Sequence, residues 1–245
     1  MASGSKRDSD WDWAEFVARN NNELVATWGN LANRVLAFCY KNWEGHVPSF
    51  GEGRDGVSPS EGANGEKGAE TAPLRDADLA LLATIENGFN TVGAELEAVR
   101  LRSALGETMK LATVVNQYLD VNAPWSAIKV DKAEAGKTVY TALKAIDSLK
   151  VMFAPFLPFT CEKLHGFFNY ETPLFGEQYT ETVKDSLGEH TVLRYRAVGS
   201  GLRPEPNVQW KPSELQPGKK LNQPGPLFKK LEESVIEEER GRLGK

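Results

Sequence analysis

Asn22-Glu23-Leu24-Val25-Ala26-Thr27-Trp28-Gly29-Asn30-Leu31-Ala32-Asn33-Arg34, running on through Val35 to Phe38, decides the fold class of this chain. Leu24, Trp28, Leu31, Val35 and Phe38 recur at alternating steps of four and three, which lines them along one core-facing side of a helix. That helix is predicted from about Asp10 to Asn42. Asp10 can cap its N-terminus, and Asp12 and Glu15 suit its first turn, where the backbone dipole favours negative charge. Asn20-Asn21-Asn22 lowers helix propensity and predicts a break or kink.

Similar stripes follow. Leu79, Leu82, Ile85, Phe89 and Val92 predict a helix over about 75–99. Leu105, Thr108, Ala112, Val115 and Leu119 predict another over about 101–121. Asn122-Ala123-Pro124-Trp125 then opens a short helical turn, where proline is tolerated because a first-turn amide has no partner to lose. A further helix is expected over about 133–153, ended by Pro155 and Pro158, and a last one over about 160–168. The expected architecture is therefore mainly α, an up-and-down bundle of about five helices occupying residues 10–170.

Residues 44–73 interrupt the bundle. They are rich in Gly, Ser and Glu and carry a local net charge of −4, out of −5 for all 245 residues. A segment with so few large apolar side chains cannot bury enough surface to offset its ordering entropy, so a flexible acidic insertion is expected. With that segment set aside the rest is close to neutral, which excludes a broad basic surface and leaves only local contacts with nucleic acid. Residues 1–9 read as a leader. Residues 171–245 read as an extension with short strands at Val192–Arg196 and Val208–Trp210 and a terminal helix from Leu227 to Leu243. The acids and bases of residues 227–245 balance, which suits docking on protein better than an arm for nucleic acid.

Several chemistries find no support. Cys39 and Cys161 sit in apolar helical contexts and read as buried free thiols. No Cys/His spacing suggests a metal, and no phosphate loop or nucleophile motif occurs, so no catalytic or metal-ligating residue and no cofactor is expected in this chain. No apolar run is long enough for a membrane span and the N-terminus has no hydrophobic signal core, so a soluble cytoplasmic chain is expected.

Two constellations stand apart from the scaffold. Asn30 and Arg34 are one helical turn apart, on a face roughly 100° from the centre of the apolar stripe. There a guanidinium can lie flat on a base or pair with phosphate, and an amide can both donate to and accept from a base edge. Taken alone, this spacing favours a solvated face with Arg34 paired to a carboxylate. Trp125 can offer a stacking platform beside a backbone fixed by Pro124, while taken alone it favours a core anchor. In an up-and-down bundle the first helix and the Pro124-Trp125 corner can meet at one end.

Residues 22–34 resemble the start of the anticodon-binding domain of the methionyl-tRNA synthetase family. Asn116-Gln117-Tyr118-Leu119-Asp120-Val121-Asn122-Ala123-Pro124-Trp125 resembles its second segment, and Pro226-Leu227-Phe228-Lys229-Lys230-Leu231 a common ending of that enzyme. The resemblance implies that Asn30, Arg34 and Trp125 read the CAU anticodon of methionine tRNAs, with Asn122 and Pro124 in the same pocket. It also implies a chain without the catalytic part. The nucleotide-binding signatures of the family, His-Ile-Gly-His-like and Lys-Met-Ser-Lys-Ser-like, are absent, and His165-Gly166-Phe167 is no match. ATP, and zinc where the family carries it, would belong to that missing catalytic domain, which is the second expected partner beside the tRNA anticodon loop. The last segment is expected to dock on it, leaving some apolar surface of residues 200–240 exposed here. Two other readings remain: a helical protein-interaction module, and the corresponding domain of another class I synthetase.

Overall fold

The structure, a computed structural model, describes residues 11–49, 73–171, 173–174, 177–186, 188–196 and 210–243. The expected leader and most of the acidic insertion lie outside the described residues, as do Asp10, Val208 and Gln209.

The first predicted helix is three pieces in one line: α1 (Trp13–Arg19), a π-helical stretch (Asn20–Gly29) and α2 (Asn30–Asn42). Asp12, in extended conformation, caps α1 by accepting from Ala14 N at 2.7 Å and Glu15 N at 3.4 Å, so it does the work expected of Asp10. The asparagine triplet marks where the helix widens. Wider winding leaves Thr27 O accessible, and Asn116 Nδ2 reaches it from α4 at 3.3 Å. Beyond α2, Glu44 and Gly45 both take positive φ, and Gly45 N bonds Tyr40 O at 2.9 Å. A Cβ on Gly45 would meet the Tyr40 ring at 3.0 Å, so this turn needs glycine.

Three long helices complete the bundle: α3 (Asp76–Glu97), α4 (Leu101–Asn122) and α6 (Lys132–Phe153). The central one is α6, packed against α2, α3, α4, α5 (Pro124–Ala127) and α7 (Pro158–Phe167). Val139, Leu143, Ile146, Leu149, Met152 and Phe153 are all buried along it. Trp28 is fully buried and lies 4.5 Å from the Phe153 ring. The predicted stripes hold, with one correction on α3: Leu79 is 52% exposed and Leu81 is buried instead. The cause is electrostatic. Asp78 is wholly buried and grips Arg75 through two oxygens, at 2.9 and 2.7 Å, while Tyr118 OH donates to the same carboxylate. Burial pushes the Asp78 pKa up, and the hydrogen bonds from Arg75 and Tyr118 outweigh it, leaving it below the usual value. This latch sets the rotation of α3 against α4 and α6.

The extension departs furthest from expectation. Val192–Arg196 belongs to β2 (Gly188–Arg196), but its partner is β1 (Glu177–Asp185), paired antiparallel from Glu177–Arg196 to Asp185–Gly188. The expected second strand is not formed at Trp210, which lies in a bend and donates Nε1–H to Phe89 O at 2.8 Å. The terminal helix is α8 (Ser234–Leu243) only; residues 227–233 are not part of it. Residues 210–231 also pack on this bundle itself, although Trp210 stays 39% exposed. They run as a strap over it, with Leu215 and Leu221 buried in the core. The strap also corrects the insertion. Residues 45–48 are ordered by it, through Val47 N to Lys219 O at 2.8 Å and Leu221 N to Gly45 O at 2.7 Å, and Val47 is buried.

Asn21 clamps the far end of the strap. Its side-chain amide donates to Leu231 O and its Oδ1 accepts from Leu231 N, both at 2.9 Å, so it pairs as a backbone peptide would. Asn21→Ala removes both bonds at a cost of about 1–3 kcal/mol to that contact. Amide exchange at Leu231 should then quicken while exchange in α6 stays unchanged.

Candidate nucleic-acid interface

The site grows from two local features. At Gly29 the helix returns from π to α winding, so Asn30 begins α2 with its side chain exposed while Leu31, Ala32 and Val35 are buried. At Ala123 the chain turns sharply: this residue ends α4 and starts α5 in left-handed conformation, φ 35°. Pro124 follows as the first residue of α5, buried beneath the corner, and Trp125 projects half-buried.

The packing of α2 beside this corner brings the two constellations together. The Arg34 guanidinium carbon lies 4.3 Å from the centre of the Trp125 ring, within the range of a cation–π contact. Phe38, one turn beyond Arg34, meets Trp125 edge-on at 5.9 Å, and Trp43 meets Phe38 in the same way at 5.9 Å. Lys132 Nζ sits 5.7 Å from the Trp43 ring. The result is a ladder of aromatic rings flanked by cations at one end of the bundle.

Among the described residues Arg34 has no carboxylate within ion-pair distance, so its charge is available. Arg19, on the same flank, differs: Glu15 holds it at 2.6 Å and Glu23 at 3.9 Å. Asn122 spends its amide N–H on Tyr118 O at 2.8 Å and supports the corner rather than reaching out. Asn116 and Tyr118 lie near the same helix end, but Asn116 serves Thr27 and Tyr118 serves the buried Asp78 latch. Phe38 and Trp43 belong to the ladder as fully as Trp125. The signal for Phe38 was its spacing of four from Arg34; for Trp43 the sequence carried none.

The remaining polar chemistry is structural. Cys39 and Cys161 are free and buried, and burial pushes both thiols up to about 12, so neither is nucleophilic near neutral pH. No cluster of His, Cys, Asp or Glu able to hold a metal occurs among the described residues, and no helix there is long and apolar enough to cross a membrane.

Fold and site together define a helical bundle with a stacking surface at one end. A sequence model described as the anticodon binding domain of methionyl tRNA ligase matches residues 68–192, and one described as class I tRNA synthetases (M) matches residues 1–36. The chain belongs to the family of methionyl-tRNA ligase anticodon-binding domains. Arg34 and Asn30 fall in the second match and Asn122, Pro124 and Trp125 in the first, so the surface is built across the seam between them.

Among curated relatives, methionine–tRNA ligase of Thermomicrobium roseum is 46% identical over 97% of this chain and 36% of its own length. That of Chloroflexus aggregans is 42% identical over 99% of this chain and 36% of its own length. The chain thus spans about a third of the relatives it matches. In fold it is similar to Mycobacterium tuberculosis methionyl-tRNA synthetase bound by methionyl-adenylate, with TM-score 0.62 and 22% identity over 89% of this chain and 34% of that one.

Proposed function

We propose that this chain is the anticodon-reading part of a methionine–tRNA ligase and selects tRNAs carrying CAU. One observation carries the reading: a guanidinium with no ion-pair partner among the described residues rests on a half-buried indole, 4.3 Å from its centre, with Asn30 one turn away on the same helix. An exposed arginine over a ring is a cover that can swing aside. An unstacked base takes its place on Trp125, and the charge moves to the base edge or its phosphate. Asn30 supplies a donor and an acceptor for a base edge. Asn122 and Pro124 hold the corner so that the ring is in position before RNA arrives, which lowers the ordering cost of binding.

In this reading the domain contributes selection and no chemistry. Methionine activation with ATP, and any zinc, belong to a catalytic domain that the rest of the ligase supplies and that this domain contacts as a partner. The setting is the cytoplasm, where tRNA is charged for protein synthesis. A buried Trp125 together with Arg34 locked to a carboxylate would favour the scaffold alternative; among the described residues Arg34 has no such carboxylate, and Trp125 is half-buried.

The test is an anticodon stem-loop RNA with a CAU loop, set against one with the first anticodon base changed. The changed base can still stack on Trp125, so the changed loop should bind more weakly by about 1–3 kcal/mol, the cost of leaving base-edge hydrogen bonds unmade. Equal affinities, measured by titration calorimetry at fixed salt, would refute sequence-specific reading.

A further inference from the structure

A second base-sized cleft lies on the other side of Asn30. It has a volume of about 210 Å³ and is lined by Val25, Ala26, Gly29, Asn30 and Asn33 on one side and by Pro226, Leu227 and Phe228 of the strap on the other. That is smaller than the roughly 300–1,000 Å³ of sites for drug-sized ligands, and suits one planar ring system. Among the described residues neither the Asn30 nor the Asn33 amide has a hydrogen-bond partner, although other asparagines nearby, at 20, 21 and 116, are all engaged. The two free amides sit three residues apart on one helix, so both can reach a ligand's edge from the same side.

The aromatic wall is placed with little tolerance. A Cβ on Gly29 would stand 2.7 Å from Phe228 Cδ2, so the absence of a side chain there lets the ring lie against the helix. Lys163 Nζ holds Pro226 O at 2.8 Å, and Asn21 holds Leu231 on the other side, so Phe228 is braced from both ends. Asn30 and Arg34 are separated by roughly 6 Å along the axis of α2, a distance that adjacent nucleotides of an unstacked loop can cover.

We infer that the strap completes a second nucleotide site, in which one further unpaired base of the bound loop enters between Phe228 and the Asn33 amide, with Asn30 at the boundary between the two sites. The inference rests on the proposed anticodon-reading function. It makes the C-terminal strap part of the RNA-binding surface and Asn33 and Phe228 binding residues. Phe228 supplies the apolar face, and Asn33 supplies a donor and an acceptor that distinguish one base edge from another.

The experiment uses the CAU stem-loop with 2-aminopurine replacing, in turn, each loop base other than the one read at Trp125. The chain is compared with Asn33→Ala, Phe228→Leu and Trp125→Ala. Asn33 is on the rim, so Asn33→Ala keeps the fold and should weaken binding about three- to tenfold, the value of one or two hydrogen bonds. Phe228→Leu keeps an apolar wall but removes the flat ring. It should abolish the quenching of one particular 2-aminopurine, while Trp125→Ala leaves that quenching in place at saturation. If Trp125→Ala weakens binding but Asn33→Ala and Phe228→Leu bind and quench as the parent does, the second site is refuted and anticodon reading stands. If the RNA binds no better than a scrambled loop and Trp125→Ala changes nothing, both fail.

Discussion

Trp125→Ala is expected to weaken binding of the CAU stem-loop by about 1–3 kcal/mol, the range for loss of a base–aromatic stack. Trp125 is half-buried and packs against the core as well as meeting Phe38 edge-on and Arg34 from solvent, so truncation also lowers the melting temperature, and the affinity loss is read on folded protein. A second effect accompanies it. Arg34 stays exposed but loses the surface that orients it, so its phosphate contacts become less directional and the non-specific share of binding rises. The variant should therefore discriminate less between CAU and a changed loop, and not merely bind both more weakly. Affinities for the two RNAs at two salt concentrations separate these effects, since the electrostatic share falls with salt and the stack does not. Trp125→Phe, which keeps a smaller ring, should recover part of the loss. An alanine variant that binds both RNAs as the parent does, with an unchanged melting temperature, would mean that the ring carries neither base nor fold.

The helices were legible because each buries a continuous stripe, and a stripe is written locally at steps of three and four. Leu31, Val35, Ala112, Val115 and Leu119 are buried as that rule requires. It failed at Leu79, where a carboxylate took the inward position: the pattern has no way to announce that Asp78 will meet Arg75 and, 40 residues on, Tyr118. The strap was illegible for the same reason on a larger scale. Residues 210–231 have no periodicity, and their order comes from single contacts with distant residues, such as Asn21 with Leu231 and Tyr140 OH with Leu215 O at 3.1 Å. Gly29 looks like an ordinary weak point in a helix until Phe228 is placed against it. At the site, the sequence named Asn30, Arg34 and Trp125, but only the packing of α2 beside the corner showed that Arg34 and Trp125 touch. The π-helical stretch left a trace in the asparagine triplet: its low propensity predicts a break or kink, and the helix instead changes winding there, with Asn21 clamping the strap.

The strap's central anchor gives the largest stability effect. Asp147 and Lys150 are 3% and 2% exposed and pair at 2.5 Å inside the protein. Tyr170 OH and Ser213 Oγ donate to the other carboxylate oxygen at 2.7 and 2.5 Å, Ser148 Oγ accepts from Ser213 N at 2.9 Å, and Lys150 Nζ lies 2.9 Å from His165 Nδ1. The cluster joins α6 and α7 to the strap. Burial is the strongest influence on the Asp147 pKa and pushes it up; the charge and hydrogen bond of Lys150, with the two hydroxyls, overcome it and leave it below 3.8. Lys150→Met keeps the volume and leaves the carboxylate buried without its cation, which should cost about 3–5 kcal/mol. Asp147→Asn with Lys150→Met removes both charges and should recover most of that. The pH dependence changes sign. In the parent, Asp147 binds its proton more weakly folded than unfolded, so its contribution is complete above 3.8 and is lost as pH falls through the lower folded value. In Lys150→Met, burial prevails and the folded carboxyl holds its proton more tightly than the unfolded one. Acidification from neutral pH then stabilises that variant relative to the double variant, in which the residue cannot titrate. Urea unfolding of the three proteins at neutral and mildly acidic pH measures both effects. A Lys150→Met protein as stable as the double variant at neutral pH would show that the ion pair does not hold the strap.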